Sequence, residues 1–464
     1  MSLRAPAARL LRSQASASAS RAMSTAALAR VATASSAAAG PSSSTSARRV
    51  AAVGSAGPSA PRAFSSSAAA TNEYESPFGI NSLNKLSEEE EMLREAVKRF
   101  AEDVVAPRVQ EMDEAEKMDP EIIKGLFEQG LMAIETSPEH GGAGGSFTAA
   151  IVAIEELAKV DPSVSVLCDV HNTLVCTIMR KYASRTLQDK YLPQLSESVL
   201  GSFCLSEPSS GSDAFAMKTS CKKTDDGKHW IINGSKMWIT NSGEAGFFLV
   251  FAQSDPSKGY KGINCFAVEK DWGVEIAKKE KKLGIRASST CTVNFDEIKV
   301  PAENLVGEEG KGYKIAIEIL NEGRVGIGAQ MLGLAEGAVD KAIRYAADRK
   351  QFGKRIVDFQ GQQFDYAQVL MEIEAARALV YNASRLKEEG RPFAKEAAMC
   401  KLYASQVAQK ASGSAIEWCG GVGFTRETGI EKYWRDSKIG AIYEGTSAIM
   451  KDTIWRMAAK EMDL

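Results

Sequence analysis

Histidine is scarce in this 464-residue chain, and the three that occur, His140, His171 and His229, lie far apart. Their spacing matches no zinc-binding pattern and makes a Ser-His-Asp triad unlikely. No Cys-x-x-Cys pair occurs among the eight cysteines, most of which have apolar neighbours. We therefore expect reduced core cysteines in a non-oxidising compartment, no metal site, and chemistry carried by other groups.

Lysine and acidic residues are absent from the first 72 residues, which contain eight arginines and are rich in alanine and serine. This composition is typical of a mitochondrial transit peptide, and the alternative is a generic disordered tail. We predict that residues 1–72 direct import into the mitochondrial matrix, with cleavage near Arg62-Ala63-Phe64.

Excess positive charge and long apolar runs are also absent. The chain has a formal charge of −2, and removal of the eight transit-peptide arginines leaves about −10. Such a protein is not a general binder of nucleic acid or anionic membranes, so a phosphate-bearing ligand must be held by a few local cations and backbone donors. No apolar run approaches the ~20 residues of a membrane-spanning helix, and we expect no membrane span.

The remaining chain falls into three zones of different hydrophobic period. Residues 87–195 have helical spacing, with a Ser87–Glu90 capping box and a second helix start at Asp119-Pro120. Between residues 201 and 307 the period falls toward two, and Asp226-Gly227 and Asn233-Gly234 are two hairpin signals. These patterns predict a helical region followed by a small antiparallel β domain.

Helical periodicity returns from Tyr313, with an amphipathic helix from about Tyr366 to Gly390 and further helices over 395–418 and from Ser447. The predicted class is therefore α+β. We assign residues 80–200 to an N-terminal helical domain, 201–308 to a middle β domain and 309–464 to a C-terminal helical bundle.

Three glycine-rich segments superficially suggest phosphate-binding loops. Gly307 to Gly312 lacks the spacing and the Lys-Ser/Thr ending of such a loop. Gly326-Ile-Gly328 and Gly420 to Gly423 lie in helical context with no preceding strand, which excludes a doubly wound nucleotide-binding fold.

Glu444 is the only acidic residue in the almost apolar stretch 439–447. Packing beside its apolar neighbours would remove its hydration and raise its pKa toward neutrality, where a carboxylate can act as a base. Gly445 permits a tight backbone path, and Thr446 and Ser447 can cap the helix that follows. The alternative is an ordinary loop glutamate facing water.

Six segments in one order resemble the acyl-CoA dehydrogenase family, and the resemblance covers essentially everything from residue 87 to the end. The segments are Phe203-Cys-Leu-Ser-Glu-Pro-Ser-Ser-Gly-Ser-Asp213, Lys236-Met-Trp-Ile-Thr240, Leu283-Gly-Ile-Arg-Ala-Ser-Ser289, Arg349-Lys-Gln-Phe-Gly353, Gly420-Gly-Val-Gly423 and Tyr443-Glu-Gly-Thr-Ser447. The resemblance implies an N-terminal helical domain, a middle β domain and a C-terminal four-helix bundle, with FAD between them. It also implies a homotetramer in which FAD reaches across a subunit interface.

Leu320 to Arg324 and Tyr260 to Gly262 are most similar to the branch of the family that oxidises short and branched acyl groups such as 2-methylbutyryl-CoA. The implied reaction is α,β-dehydrogenation of the acyl-CoA thioester to a trans-2-enoyl-CoA, within branched-chain amino-acid and fatty-acid catabolism. Electrons then pass to electron-transfer flavoprotein. Glu444 matches the family's catalytic base, and its backbone N–H is expected to stabilise the thioester oxygen. Some relatives place the base at the position of Gly323, which has no side chain to serve.

The resemblance also assigns the flavin contacts. The strand and loop from Phe203 to Ser212 are expected along one edge of the isoalloxazine, with Trp238 and Thr240 near its reactive nitrogen and Arg349 at the FAD pyrophosphate. Without the resemblance, Trp238 is equally a buried strand aromatic and Arg349 a surface cation. The implied cofactor-binding set is Phe203, Leu205, Ser206, Ser212, Trp238, Ile239, Thr240, Arg349, Gln360, Glu417, Trp418, Cys419, Gly420, Gly421, Thr446 and Ser447.

The resemblance further assigns substrate contacts, for which the alternatives are structural tyrosines and an ordinary surface pair of Asn321 and Arg324. One departure concerns the cofactor: Ala448 and Met450 stand where the family usually carries polar residues, so a polar contact to the adenine end of FAD is expected to be missing. The implied substrate-binding set is Ser212, Tyr260, Tyr313, Asn321, Glu322, Gly323, Arg324 and Gly445.

Four alternative functions fit the same chain less well. One is a dehydrogenase for straight short chains such as butyryl-CoA. Another is an acyl-CoA oxidase, which is normally peroxisomal, whereas this chain ends Glu461-Met-Asp-Leu464 without a Ser-Lys-Leu signal. A flavin-dependent hydroxylase would not need Glu444. A non-enzymatic scaffold that binds CoA esters would not need Glu444 together with Trp238 and Arg349.

Overall fold

The computed structural model describes residues 85–464, so the predicted transit peptide and its cleavage site lie outside the described residues. The first helix, α1 (Glu88–Phe100), begins at the predicted capping box, in which Ser87 and Glu90 each accept the other's backbone N–H. The helices that follow are α2 (Val109–Ala115), α3 (Pro120–Glu128), α4 (Phe147–Val160), α5 (Pro162–Asp169), α6 (Thr177–Tyr182) and α7 (Arg185–Glu197).

Local sequence explains several of these boundaries. Asp119 accepts from the N–H of Glu121 and starts α3 with Pro120 in its first turn, as predicted. Two π-helical segments, Ala101–Val105 and Val170–Cys176, interrupt the helical region. The second one continues directly from α5 and is buried throughout. It therefore lies in the core, on the side of the helical region that meets the C-terminal helices.

The middle region is a sheet of eight strands: β1 (Gly201–Cys204), β2 (Ser220–Lys223), β3 (His229–Thr240), β4 (Phe247–Gln253), β5 (Ile263–Glu269), β6 (Glu275–Lys279), β7 (Thr290–Pro301) and β8 (Leu305–Val306). Their order in the sheet is β6-β7-β3-β2-β4-β5-β8, and β1 pairs with β4. Most pairs are antiparallel, as predicted, whereas β1 and β2 run parallel to β4.

One of the two hairpin predictions is wrong. Asp226-Gly227 does turn the chain between β2 and β3, but β3 runs without a break through Asn233-Gly234. Gly234, with φ of 151°, lies at a bulge where the register between β3 and β7 shifts. A side chain there would strike Thr219, since a Cβ would lie 2.5 Å from its hydroxyl. The glycine therefore permits close strand packing instead of a turn.

The C-terminal region consists mainly of long helices. Its elements are α8 (Gly312–Asp348), the short hairpin β9 (Lys350–Gln351) and β10 (Lys354–Arg355), α9 (Gln360–Glu388), α10 (Ala394–Cys419), α11 (Ile430–Ser437) and α12 (Ser447–Glu461). Helices α8 and α10 pack against each other, and α8 also packs against α4. The apolar core shared by these helices continues into β4 and β5. The order of helices, strands and helices confirms the α+β class.

A buried charged cluster ties the three regions together. Lys432 on α11 donates to Asp161 at 2.8 Å and to Asp436 at 2.6 Å, and all three side chains are buried. Asp436 also accepts from the backbone N–H of Ile285, at 2.6 Å, in the loop that leads into β7. The Lys432–Asp436 pair thus joins the helical, β and C-terminal regions.

All eight cysteines are buried and unpaired, as predicted. In residues 85–464 no helix combines the length and the apolar composition needed to cross a membrane. The same residues contain no cluster of three or more metal-ligating side chains.

Candidate active site

Glu444 lies in the loop between a 3₁₀ turn, Lys438–Ala441, and helix α12. Its φ of 51° and the φ of 99° at Gly445 place two consecutive residues in the left-handed region, which is unusual for a glutamate. Gly445 has no room for a side chain, because a Cβ would lie 2.5 Å from the methyl group of buried Met450. Thr446 caps α12 by accepting from the N–H of Ile449, as predicted.

The backbone of this loop is held by two cations. Arg324 of α8 donates through Nε to the carbonyl of Glu444 at 3.4 Å, and its Nη1 donates to Asn321 at 2.9 Å. Lys401 of α10 donates through Nζ to the carbonyl of Gly445 at 2.6 Å. Arg324 thus contacts the backbone carbonyl of Glu444 and Lys401 that of the next residue, and neither donates a hydrogen bond to Glu444 Oε2.

The carboxylate itself is dry. Glu444 Oε2 is buried without a hydrogen-bond partner, although part of the residue remains accessible. Loss of hydration raises the pKa of Glu444 to about 7, and the charges of Arg324 and Lys401 limit that rise. Burial in turn lowers the pKa of Lys401 to about 8. The prediction that Glu444 sits in a poorly solvated setting with a near-neutral pKa agrees with this geometry.

Two glycines one turn apart on α8 make room for two carboxyl groups. A Cβ on Gly323 would lie 3.0 Å from Glu444 Oε2 and 3.0 Å from Leu174. A Cβ on Gly326 would overlap the carboxyl group of Asp169, which accepts from the hydroxyl of Thr173 at 2.9 Å. Burial raises the pKa of Asp169 well above its usual range, which favours the uncharged form of this second acid.

Tyr443 fixes the loop from its other side. Its hydroxyl donates to the amide oxygen of Gln330 on α8, and Gln330 donates to the carbonyl of Pro162 at 2.7 Å. Sequence reasoning did not single out Asp169, Gln330 or Lys401. Their only sequence signal is a polar residue at a position whose helical neighbours are apolar.

The structure gathers four of the eight predicted substrate-binding residues around Glu444. Gly323, Arg324 and Gly445 contact it or its loop, and Asn321 holds Arg324. Glu322 is not brought to the carboxylate: it is buried in an ion pair with Lys181, with Lys387 at 3.6 Å. Further away, the rings of Tyr260 and Tyr313 contact each other with centroids 4.7 Å apart, and Ser212 is exposed.

Trp238 is not the buried strand aromatic of the alternative interpretation. It lies at a second bulge of β3, between Lys236 and Ile239, with φ of 64°, and 55% of its surface is exposed. The bulge turns the indole outward while Ile239 stays in the core. Beside it, the backbone N–H of Met237 donates to the carbonyl of Ser206 at 2.9 Å and so holds the 203–206 segment next to Trp238.

This surface has the composition that a flavin requires. The exposed indole of Trp238 and the partly exposed ring of Phe203 provide an apolar platform, and Leu205 beside them is buried. Ser206 and Thr240, also partly exposed, provide polar edges. A planar aromatic ligand would cover the indole and bond to the polar edge. The residues present therefore fit FAD.

Thr446 and Ser447 directly follow the Glu444 loop, whereas most of the other predicted cofactor residues form a second, separate group. Arg349, Gln360, Glu417, Gly420 and Gly421 are exposed near the end of α8, the start of α9 and the end of α10. Trp418 is buried against Tyr366 with ring centroids 4.6 Å apart, and Cys419 is buried as well. At 1.5 Å per residue, the end of α8 is roughly 37 Å from the Gly323 turn. The structure thus does not bring this group to Glu444 within one chain.

Three domain families match the chain: residues 87–198, 202–298 and 310–459 match the N-terminal, middle and C-terminal domains of acyl-CoA dehydrogenases. Over 382 residues the chain is 52% identical to the mitochondrial short/branched chain specific acyl-CoA dehydrogenase of Rattus norvegicus, covering 82% of this chain and 87% of the relative. Butyryl-CoA dehydrogenase from Megasphaera elsdenii is 39% identical and has a similar structure, with a TM-score of 0.79 over 81% of this chain and 99% of that one.

A third match carries the cofactor. Acyl-CoA dehydrogenase complexed with FAD from Bacillus anthracis is 31% identical, with a TM-score of 0.77 over 82% of this chain and 68% of that one. Three consecutive domains, a dry carboxylate and an outward-facing aromatic platform define a flavin-dependent oxidoreductase. The chain belongs to the acyl-CoA dehydrogenase family, and its cofactor is FAD.

Proposed function

We propose that this enzyme oxidises short and branched acyl-CoA thioesters, such as 2-methylbutyryl-CoA, to trans-2-enoyl-CoAs, with Glu444 as the catalytic base. The observation that carries the proposal is the buried Oε2 of Glu444, a basic oxygen without a hydrogen-bond partner. The substrate class is supported by the 52% identity to the rat short/branched chain specific enzyme. Butyryl-CoA remains the principal alternative substrate, given the likeness to the butyryl-CoA dehydrogenase structure.

The residues of the chain divide the work as follows. The Glu444 carboxylate takes the α-proton, and its raised pKa makes it a stronger base than an exposed glutamate. The left-handed turn aims the carboxylate at the space beside Gly323, where no side chain intervenes. The backbone N–H of Glu444 donates to the thioester oxygen and so stabilises the enolate that develops as the proton leaves. Bound FAD supplies the acceptor for the β-hydrogen and its two electrons, a step that no amino-acid side chain performs.

The predicted cofactor residues lie in two groups that are far apart within one chain, which supports binding of one FAD by two subunits. We propose a homotetramer in which Arg349, Gln360 and the 417–421 segment contact FAD held by a neighbouring subunit. Beside them Phe352 is 94% exposed and Phe424 81% exposed, which a monomer in water would disfavour. The division into domains at 80–200, 201–308 and 309–464 belongs to the same proposal, as do location in the mitochondrial matrix and transfer of electrons to electron-transfer flavoprotein.

A panel of acyl-CoAs tests the substrate class. We expect 2-methylbutyryl-CoA to bleach the flavin absorbance faster than straight C4 to C8 acyl-CoAs, measured anaerobically by stopped flow. Because one methylene changes binding by only ~1–3 kcal/mol, butyryl-CoA and hexanoyl-CoA should still react. Preference for a straight chain would overturn the branched-chain proposal, and rapid peroxide formation in air would instead indicate an oxidase.

The pH dependence of kcat/KM tests the base. Only ionised Glu444 accepts a proton, so the rate should rise as pH increases through about 7 and level off above that value. The measurement is the rate of flavin reduction between pH 5.5 and 9 at limiting substrate, where the profile reports the free enzyme. A profile that is flat down to pH 5.5, as expected for an ordinary glutamate that is already ionised over this range, would contradict the dry setting of the carboxylate.

A further inference from the structure

Lys401 is a fully buried lysine in α10, and the roles proposed above make no use of it. Buried ammonium groups normally pair with a carboxylate because the loss of hydration costs several kcal/mol. Within the described part of the chain Lys401 forms no salt bridge, and its ammonium donates to the carbonyl of Gly445 at 2.6 Å. The neighbouring Cys400 cannot supply the missing charge, since burial raises the pKa of its thiol to about 12.

The lysine is one of two donors that hold the loop from the same face of α10. Ser405, one helical turn further on, donates to the carbonyl of Gly440 at 2.8 Å. Lys401 holds the other end of the loop at Gly445. The left-handed turn that aims Glu444 ends at this second anchor, where Glu444 and Gly445 both have positive φ.

The charged groups that face Glu444 come from four elements. Arg324 on α8 and Lys401 on α10 are positive and favour ionisation of the carboxylate. Asp169 at the end of α5 is buried and Tyr443 in the loop is partly buried, and loss of hydration raises the pKa values of both well above the usual range. The raised pKa values favour the uncharged form of both groups, and Arg324 and Lys401 are the cations that offset the loss of hydration at Glu444.

We propose that Lys401 is a positioning residue for the catalytic base. Its ammonium holds the left-handed turn through the Gly445 carbonyl and adds the second positive charge that lets Glu444 ionise in a dry pocket. The inference rests on the proposed role of Glu444. It assigns Lys401 no contact with substrate or FAD.

Lys401→Met tests the proposal, because methionine fills similar space without the donor or the charge. We expect the rate of flavin reduction in a single turnover to fall by ~10-fold or more, with a smaller change in KM. The acidic limb of the pH profile should also move upward by roughly half a unit or more, because one of the two cations is gone. Lys410→Met is the matched control: Lys410 lies on the same helix, is exposed and pairs with Glu372, so both readouts should stay unchanged.

A second variant covers the case in which Lys401→Met fails to fold or to retain FAD. Lys401→Gln keeps an N–H donor but removes the charge, so it should fold and still show the upward shift of the limb. A merely structural role predicts lower thermal stability in these variants with an unmoved limb, and that result would overturn the proposal.

Combining Lys401→Met with Glu444→Gln separates this inference from the proposed function. If Lys401 acts through Glu444, adding Lys401→Met to Glu444→Gln should lower the residual rate by less than about twofold. A further tenfold loss in that background would show that Lys401 has another task and would refute the proposal. Full activity in Glu444→Gln alone would instead refute the base assignment on which it rests.

Discussion

Glu444→Gln is expected to lower turnover by ~10²–10⁴-fold while leaving a folded, yellow enzyme. Glutamine has the size of glutamate but cannot accept the α-proton. No hydrogen bond to the carboxylate is lost, because Glu444 Oε2 has no partner and the loop is held through backbone carbonyls. The measurement is steady-state turnover with 2-methylbutyryl-CoA, together with FAD content from the visible spectrum.

The matched control is Glu427→Gln, which removes an exposed carboxylate elsewhere in the C-terminal region and should leave turnover unchanged. Stability provides a second check with a definite sign. The pKa of Glu444 is raised in the folded protein, so its contribution to stability is fully present below its unfolded value and is lost as pH rises through about 7. Relative to the parent enzyme, Glu444→Gln should therefore become more stable at pH 8 than at pH 5. Near-normal turnover in the variant would show that the base is another residue.

Lys236→Met should lower the free energy of unfolding by ~3–5 kcal/mol, because it leaves an uncompensated buried charge. Lys236 of β3 is fully buried and donates to Glu207 at 2.8 Å and to the carbonyl of Leu205 at 3.0 Å. The pair fastens the 205–207 segment to the strand that carries Trp238. Loss of FAD should accompany the loss of stability, measured as the midpoint of guanidinium unfolding and as flavin released on dialysis.

Lys222→Met on the neighbouring strand β2 is the control, since Lys222 is exposed and its loss should change stability by less than ~0.5 kcal/mol. Adding Glu207→Gln to Lys236→Met removes the unpaired carboxylate charge and should restore part of the lost free energy of unfolding. The amide oxygen can still accept one of the N–H groups of Lys218 and Thr219 that Glu207 now holds. A loss below about 1 kcal/mol for Lys236→Met would mean that the pair contributes little.

Local signals in the sequence predicted the elements whose causes are local. The capping box at Ser87 and the Asp-Pro start of α3 depend on residues within one turn, and both are confirmed. The hairpin prediction at Asn233-Gly234 was wrong because an Asn-Gly pair can also form a β-bulge. Which of the two structures forms depends on contact with Thr219 on the neighbouring segment. A short glycine motif carries no information about the strand that it will face.

The candidate site divides along the same line. Glu444 could be proposed from the sequence because it matches the family's catalytic base and its neighbours in the chain are apolar. Lys401 and Asp169 could not be predicted, since each reaches the site from a different helix. The resemblance assigned Glu322 to the substrate set together with Asn321 and Arg324, and the helical rotation of about 100° per residue places its carboxylate beside Lys181 and Lys387.

The sequence alone determined the order of helices and strands and the family resemblance, and it supplied the candidate acidic residue, because periodicity and motifs are written along the chain. Tertiary structure decided how basic that acid is and where it points. Those properties arise from hydration lost to packing and from cations on α8 and α10 that meet only after folding. A pKa depends on three-dimensional surroundings, and sequence distance does not encode them.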